Sequence, residues 1–194
     1  MSTTSIMIVG VGGQGTLLAS KILGRVLLSR GYDVKLSEVH GMSQRGGSVV
    51  TYVRFGEKVY SPIVDAGEAD YILSFEALEA ARWIGYLKKG GTLITNTQRT
   101  YPMPVITGAM AYPENIPEKL AAKANVVALD ALSMAMEAGS PKAVNLVLIG
   151  VLSALTAIPE QTWLDAIETT VPAKFLEMNK RAFAMGRAYA LARG

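Results

Sequence analysis

The sequence predicts a three-layer α/β domain with a mixed, mainly parallel sheet and a helical C-terminal region. Three observations carry this expectation. The apolar run Ile6-Met7-Ile8-Val9 passes through a glycine-rich turn into helical i, i+3, i+4 spacing; strand-like runs then alternate with helical segments; after Ala143 the pattern is helical only. With 194 residues, half of them hydrophobic and 18% charged, the chain suits one soluble globular domain, residues 1–194, with a sizeable core.

The first strand ends at Gly10-Val11-Gly12-Gly13-Gln14-Gly15-Thr16. In a Gly-x-Gly-x-x-Gly turn between strand and helix, the first glycine permits the bend, the second lets backbone approach a phosphate, and the third lets the helix pack close to the strand. The exposed N–H groups and the helix dipole favour an anion there. The alternative is a turn that only packs helix on strand. The helix is expected over Gly13 to Ser29, with Leu17, Leu18, Ile22, Val26 and Leu27 as its apolar face and Gly31 as its stop. A strand over Tyr32 to Val39 follows. Its Val34 and Leu36 share a face that would also carry Glu38 and His40, which emerge at the carboxyl end where open α/β sheets bind ligands.

His40-Gly41-Met42-Ser43-Gln44-Arg45-Gly46-Gly47 is the second unusual stretch. Its glycines oppose a regular element and let the backbone come close to a partner. Arg45 offers a planar fork suited to carboxylate or phosphate, or is a solvated loop arginine. His40, the only histidine, has either a protonic or a structural role.

Ser48 to Val64 reads as a hairpin: Val49 to Phe55, a Gly56-Glu57-Lys58 turn, then a return through Val59-Tyr60 and Pro62-Ile63-Val64. Ala69 to Phe75 is a buried strand, Glu76 to Leu87 a helix ended by Gly90-Gly91, and Thr92 to Asn96 the next strand. Glu76, at the strand-to-helix junction, is a ligand-side candidate or a first-turn helix carboxylate. Thr97 to Pro117 contains four prolines and reads as an irregular excursion, with Val105-Ile106 as a short edge strand. A helix over Pro117 to Ala124, a strand over Val126 to Leu129 and a helix capped by Asp130 and reaching Ala138 restore the alternation. Ala143 to Ala157 contains Leu146 to Leu152, apolar on every side, but is shorter than the roughly 20 residues of a membrane span, so it is expected in the core or an interface. Asn145 near its start is expected to cap it; the alternative is a hydrogen bond to buried backbone. Helices over Pro159 to Thr170 and Pro172 to Arg193 close the chain, the second with Phe175, Met178, Ala182 and Tyr189 near one face. The whole is a Rossmann-like arrangement.

Composition narrows the chemistry. The net charge of +3 is spread along the chain without a block of like charges, so a nucleic-acid partner is not expected and a small acidic molecule is. With no cysteine, the chain supplies no disulfide, no thiolate nucleophile and no thiolate for an iron–sulfur cluster, and no metal site is expected. No secretory pattern opens the sequence, so a cytoplasmic protein away from membranes is expected.

Two functional classes compete on the residues alone, with a purely structural adaptor as a third. One is a free-standing NAD(P)-binding oxidoreductase, since Glu38 lies 23 residues past Gly15, close to the offset of about 20 for a ribose-binding acid. The other is a ligand-binding subunit that completes another chain's active site. Residues 41–47 crowd the adenine position, and no second acid–base set follows, which favours the subunit.

The stretches Gly10-x-Gly12-Gly13-Gln14-Gly15, Glu38-x-His40-Gly41-Met42-Ser43-Gln44-Arg45-Gly46-Gly47-Ser48-Val49, Ser61-Pro62 and Asp70 to Glu76 resemble the gamma domain of 2-oxoacid:ferredoxin oxidoreductases. Within that family the free-standing beta (small) subunit of the indolepyruvate branch is the most similar; gamma subunits of the pyruvate and 2-oxoglutarate branches are the alternative. The resemblance covers the chain from the first strand to the helix at Asn145. It implies a complex in which an aryl pyruvate, CoA and oxidised ferredoxin give arylacetyl-CoA, carbon dioxide and reduced ferredoxin. It also implies that thiamine diphosphate and the iron–sulfur clusters sit on a large partner subunit, and that this chain alone is inactive. The turn Gly10 to Gly15 and the loop His40 to Gly47, with Ser43, Gln44, Arg45, Gly46 and Gly47, would line the interface near the partner's cofactor and meet CoA or the substrate carboxylate. Arg45 would hold an anion and His40 and Glu38 would orient it; none is assigned as nucleophile or base.

Overall fold

A computed structural model describes residues 3–40 and 46–193. Its order is β1 (Thr4–Val11), α1 (Thr16–Ser29), β2 (Asp33–His40), β3 (Ser48–Gly56), β4 (Ala69–Ser74), α2 (Ala77–Trp83), β5 (Leu87–Asn96), α3 (Met103–Ile106), α4 (Ile116–Ala121), β6 (Asn125–Leu129), α5 (Ala131–Ala138), α6 (Val144–Ala154), α7 (Glu160–Thr170) and α8 (Leu176–Leu191). The strands form one sheet in the order β2-β3-β1-β4-β5-β6. β1, β4, β5 and β6 pair in parallel, while β3 runs against both its neighbours, β1 and β2. This is the mixed, mainly parallel α/β architecture expected.

Covering both faces of the sheet explains why β1 is apolar without alternation: Ile6, Met7, Ile8 and Val9 are all buried. Ile6 and Ile8 pack on the side of α1 and α5 to α8, whereas Met7 and Val9 pack on the side of α2 and α4. The apolar α6 is buried from Val144 to Ser153. Among the described residues, no helix is long and apolar enough to cross a membrane.

Several local expectations are corrected. The hairpin is not β3 with residues 59–64: β3 pairs back on β2, from Asp33↔Gly56 to His40↔Val49, and with β1 on its other side. Both edges of β3 are therefore occupied, and a return strand has nothing to pair with. Residues 59–64 instead run as irregular chain, held where Val59 N–H donates to Asp33 Oδ2 at 2.9 Å and where Val64 is buried. The helix expected to reach Leu87 stops at Trp83, passes through a 3-10 turn, Ile84–Tyr86, and leads directly into β5. Gly90-Gly91 thus lies inside a strand. The β4–β5 register shifts beside it, Gly90 has φ +84°, and a Cβ on Gly91 would stand 2.9 Å from the Asp70 carbonyl oxygen, so the pair forms a bulge rather than a helix stop.

Val105-Ile106 belongs to the single helical turn α3 instead of an edge strand; Pro104, inside its first turn, has no N–H to offer a ladder. α1 begins at Thr16, not Gly13, and Leu17 faces outward while Ala19, Ile22, Leu23, Val26 and Leu27 are buried. On the last helix Phe175 is exposed, in the preceding 3-10 turn Ala173–Phe175, and the buried residues are Asn179, Ala182, Phe183, Gly186 and Ala190. Asp130 caps α5 as expected, accepting from Ser133 N–H at 3.0 Å. The Ser133 hydroxyl, and then that bond, hold its carboxyl below the ordinary aspartate value.

Candidate functional site

The glycine turn lies where β1 delivers the chain to α1, at the carboxyl end of the parallel strands. A Cβ on Gly10 would stand 2.9 Å from Gln14 Oε1 and 3.0 Å from Phe75 Cβ, so the chain passes tightly against the end of β4. Gln14 staples the bend: its Oε1 accepts from Val11 N–H at 2.8 Å, and its Nε2 donates to the Phe75 carbonyl at 3.4 Å. Gly12 N–H donates to the Gly47 carbonyl at 2.9 Å, which ties the turn to the end of the second unusual stretch.

The last two glycines differ. Gly13 has φ +99° and open space over its Cα, whereas Gly15, at φ +88°, would place a Cβ 2.9 Å from Asn145 Nδ2. The third glycine of the fingerprint therefore packs against α6, not against the strand. Asn145 is correspondingly not the cap of that helix, whose N-cap is Ala143. It accepts from Leu146 N–H at 2.9 Å and donates to the Gly15 carbonyl at 3.4 Å, joining α6 to the turn. Thr16 and Leu17 open α1, where backbone N–H groups have no intrahelical acceptor and no acidic side chain stands in the first turn.

Three clefts meet around this turn. The first, about 260 Å³, is lined by Gly12, Gly13, Thr16, Glu38, His40 and Val50 among others. The second, about 470 Å³, lies toward α6 and includes Gly13, Gln14, Gly15, Gln98, Lys142 and Asn145. The third, about 280 Å³, lies between Gly46, Ser48, Glu76, Glu79, Tyr101 and Met103. Ser43, Gln44 and Arg45, with Gly41 and Met42, lie outside the described residues.

Glu38 and His40 do reach the first cleft, but β3 stands between β2 and β1: Gly10, Val49 and His40 follow one another across the sheet. Two strand spacings amount to about 10 Å. In dinucleotide-binding folds the ribose acid ends the strand adjacent to β1; here that neighbour is β3. Glu38 Oε1 instead accepts from Ser20 Oγ of α1 at 3.1 Å. The ribose-binding expectation for Glu38 loses its geometric basis.

Glu76 is buried and turned to structure. It caps α2 by accepting from Glu79 N–H at 2.9 Å, and it accepts from Thr100 N–H at 2.9 Å and from the Tyr112 hydroxyl at 2.6 Å. One carboxylate thereby pins the proline-rich excursion to the sheet at two points. Burial and then this hydrogen bond raise the Tyr112 phenol above its ordinary value. Tyr112→Phe is expected to lower stability by about 1–2 kcal/mol, the worth of a hydrogen bond to a charged group at a half-buried position. A phenol raised on folding contributes fully below its unfolded value and loses that contribution as pH rises through the folded one. Denaturant melts should therefore show a constant gap between wild type and variant below about pH 10 and a shrinking gap above it.

The sequence reading missed Glu79, Ser48 and Asn96. Glu76-Ala77-Leu78-Glu79 has the spacing of a helix-capping box, a signal that was available. Asn96, fully buried, donates to the Phe75 carbonyl at 3.3 Å and accepts from Ala131 N–H at 3.2 Å; its role depends on three separate elements meeting. Among the described residues no group of three histidine or acidic side chains could hold a metal ion. The open space over Gly13 and the unpaired end of α1 fit an anionic group, whereas the cysteine-free chain has no thiolate for an iron–sulfur cluster.

The chain, with its mixed sheet and its glycine turn tied to a second glycine-rich stretch, belongs to the pyruvate ferredoxin/flavodoxin oxidoreductase family, whose sequence model matches residues 5–189. More particularly, it is 46% identical to indolepyruvate oxidoreductase subunit IorB of Thermococcus kodakarensis, covering 96% of this chain and 95% of that one. It is 37% identical to the subunit of the same name from Archaeoglobus fulgidus, over 94% and 92% of the two chains. Among solved structures it is similar to the gamma subunit of a keto/oxoacid ferredoxin oxidoreductase from Geobacter sulfurreducens, with a TM-score of 0.73 and 25% identity over 97% and 99% of the chains.

Proposed function

We propose that this chain is the small subunit of a cytoplasmic indolepyruvate:ferredoxin oxidoreductase, one domain that completes a site whose thiamine diphosphate and iron–sulfur clusters belong to a large partner subunit. The reaction takes an aryl pyruvate, CoA and oxidised ferredoxin to arylacetyl-CoA, carbon dioxide and reduced ferredoxin. When bound, thiamine diphosphate supplies the carbanion chemistry and the clusters carry the electrons.

One observation carries the subunit reading: Gln14, Asn145 and Glu76 at the ligand end hold neighbouring parts of the chain in place rather than facing a ligand as an acid–base pair. Gln14 binds Val11, Asn145 binds Gly15 and Leu146, and Glu76 binds Glu79, Thr100 and Tyr112. Two of the three clefts are also smaller than the roughly 300 Å³ at which small-molecule pockets begin. Such a surface is a half-site. Within it, the N–H groups at Gly13, Thr16 and Leu17 bind and orient an anionic part of CoA or of the 2-oxo acid, and Arg45 adds a bidentate charge. His40 and Glu38 stand at the rim and orient that group or its water.

The test is reconstitution. The purified chain is expected to be colourless and without turnover on indolepyruvate, CoA and a low-potential acceptor, and to support turnover when co-expressed with the large subunit. Arg45→Lys keeps charge but loses the fork, and should leave association intact while lowering kcat/KM about ten- to a hundredfold, as expected for a charge-assisted bond. Turnover by the chain alone, or NADH production, would sink the proposal.

A further inference from the structure

Glu79, in the lining of the third cleft, is a buried carboxylate, 4% exposed, on the first turn of α2, with no role in the function proposed above. Burying a carboxylate is costly unless its oxygens are paired. Its partners, one in an ion pair and two in hydrogen bonds, are instructive. Two come from its own helix: Arg82 Nε, 3.4 Å from Oε1, and Trp83 Nε1, 3.3 Å from Oε2. The third is distant in sequence, the Ser48 hydroxyl at 2.5 Å from Oε2.

Helix stability does not require this arrangement, because Glu76 already caps α2. Nor does Ser48 require it; the residue is exposed, and water would satisfy its hydroxyl. What the bond does is local and mechanical. Arg82 and Trp83 set the carboxylate's direction, the carboxylate holds Ser48 at the start of β3, and the adjacent Gly47 carbonyl receives the N–H of Gly12 in the glycine turn. A continuous chain of contacts thus runs from α2 through residues 48 and 47 to the turn.

We infer that Glu79 is a positioning residue, which through Ser48 and the Gly47–Gly12 bond fixes the glycine turn in the arrangement that meets the anionic co-substrate. The inference rests on the functional reading above, in which this turn meets an anionic part of CoA or of the 2-oxo acid, and takes CoA as that ligand. Glu79 acts through backbone and touches no reacting atom.

The experiment uses the reconstituted complex with CoA as varied substrate. Glu79→Ala and Ser48→Ala are each expected to raise the KM for CoA about tenfold while kcat changes little, in the range of losing one hydrogen bond to a charged group. The double variant should be no worse than either single one, because both remove the same contact. Glu79→Gln, which keeps an acceptor oxygen for Ser48, should recover most of the loss. Ser48→Ala, at an exposed position, keeps the test open if Glu79→Ala folds poorly. An active complex in which Ser48→Ala keeps the wild-type KM and Glu79→Ala loses only thermal stability would overturn the inference alone, as would multiplying effects in the double variant. A wild-type complex without CoA-dependent turnover would overturn the functional reading and the inference with it.

Discussion

Gly186→Ala is expected to unfold the protein or lower its melting temperature by about 10 °C or more. On an exposed helix the same change adds about 1 kcal/mol of stability, because alanine is the better helix former. Here a Cβ on Gly186 would stand 1.9 Å from the Val147 carbonyl oxygen, and a Cβ on Gly150 would stand 2.1 Å from the Phe183 carbonyl oxygen. α6 and α8 touch backbone to backbone at these two reciprocal points. Accepting a methyl group would push the helices apart by about 1 Å, and a gap of that size forfeits a quarter to a half of the dispersion energy across the surrounding contacts. Because α6 is buried from Val144 to Ser153, that loss extends along its length. The expected destabilisation exceeds the roughly 1–3 kcal/mol of ordinary overpacking, and about 2–4 °C is lost per kcal/mol in a chain of this size. Gly24→Ala is the control: that helical glycine has nothing within 4 Å of a Cβ and should gain about 0.5–1 kcal/mol. A thermal melt in which both substitutions stabilise would refute the backbone contact.

The second large effect is functional. Gly13→Ala should yield a folded subunit that still joins its partner but whose complex has lost a hundredfold or so in kcat/KM for CoA. The stability change should be modest, about 1–2 kcal/mol, because φ +99° strains an L-residue while nothing within 4 Å opposes the methyl group itself. That open space distinguishes Gly13 from its neighbours. Gly10 and Gly15 are confined by Phe75 and Asn145, so changes there would disturb the fold first, whereas Gly13 faces the first and second clefts. A methyl group at Gly13 keeps an anion from the N–H groups of the first helical turn. Isothermal titration of CoA into the complex would separate weaker binding from slower chemistry. Unchanged affinity and unchanged kinetics in a folded Gly13→Ala complex would make the turn a packing device.

The sequence by itself determined the α/β class, the glycine turn at its place between β1 and α1, the cap at Asp130 and the burial of α6, because each depends on residues close in the chain: a run of apolar side chains, glycines at fixed spacing, one carboxylate before a helix. The family motifs were legible for the same reason. Only the tertiary structure decided which strand pairs with which. A strand's own residues do not say whether its edges are free, so the residues of β3 suggest a partner at 59–64 although β1 and β2 occupy both sides. The roles of single polar side chains were decided the same way. Asn145 reads as a cap from its position, yet α6 brings it to Gly15, 130 residues away, and Glu79 acquires a purpose only when Ser48 arrives beside it. Gly150 and Gly186 look like weak points in two helices until the helices cross, because a glycine's missing side chain leaves no local pattern and its use lies entirely in what approaches it.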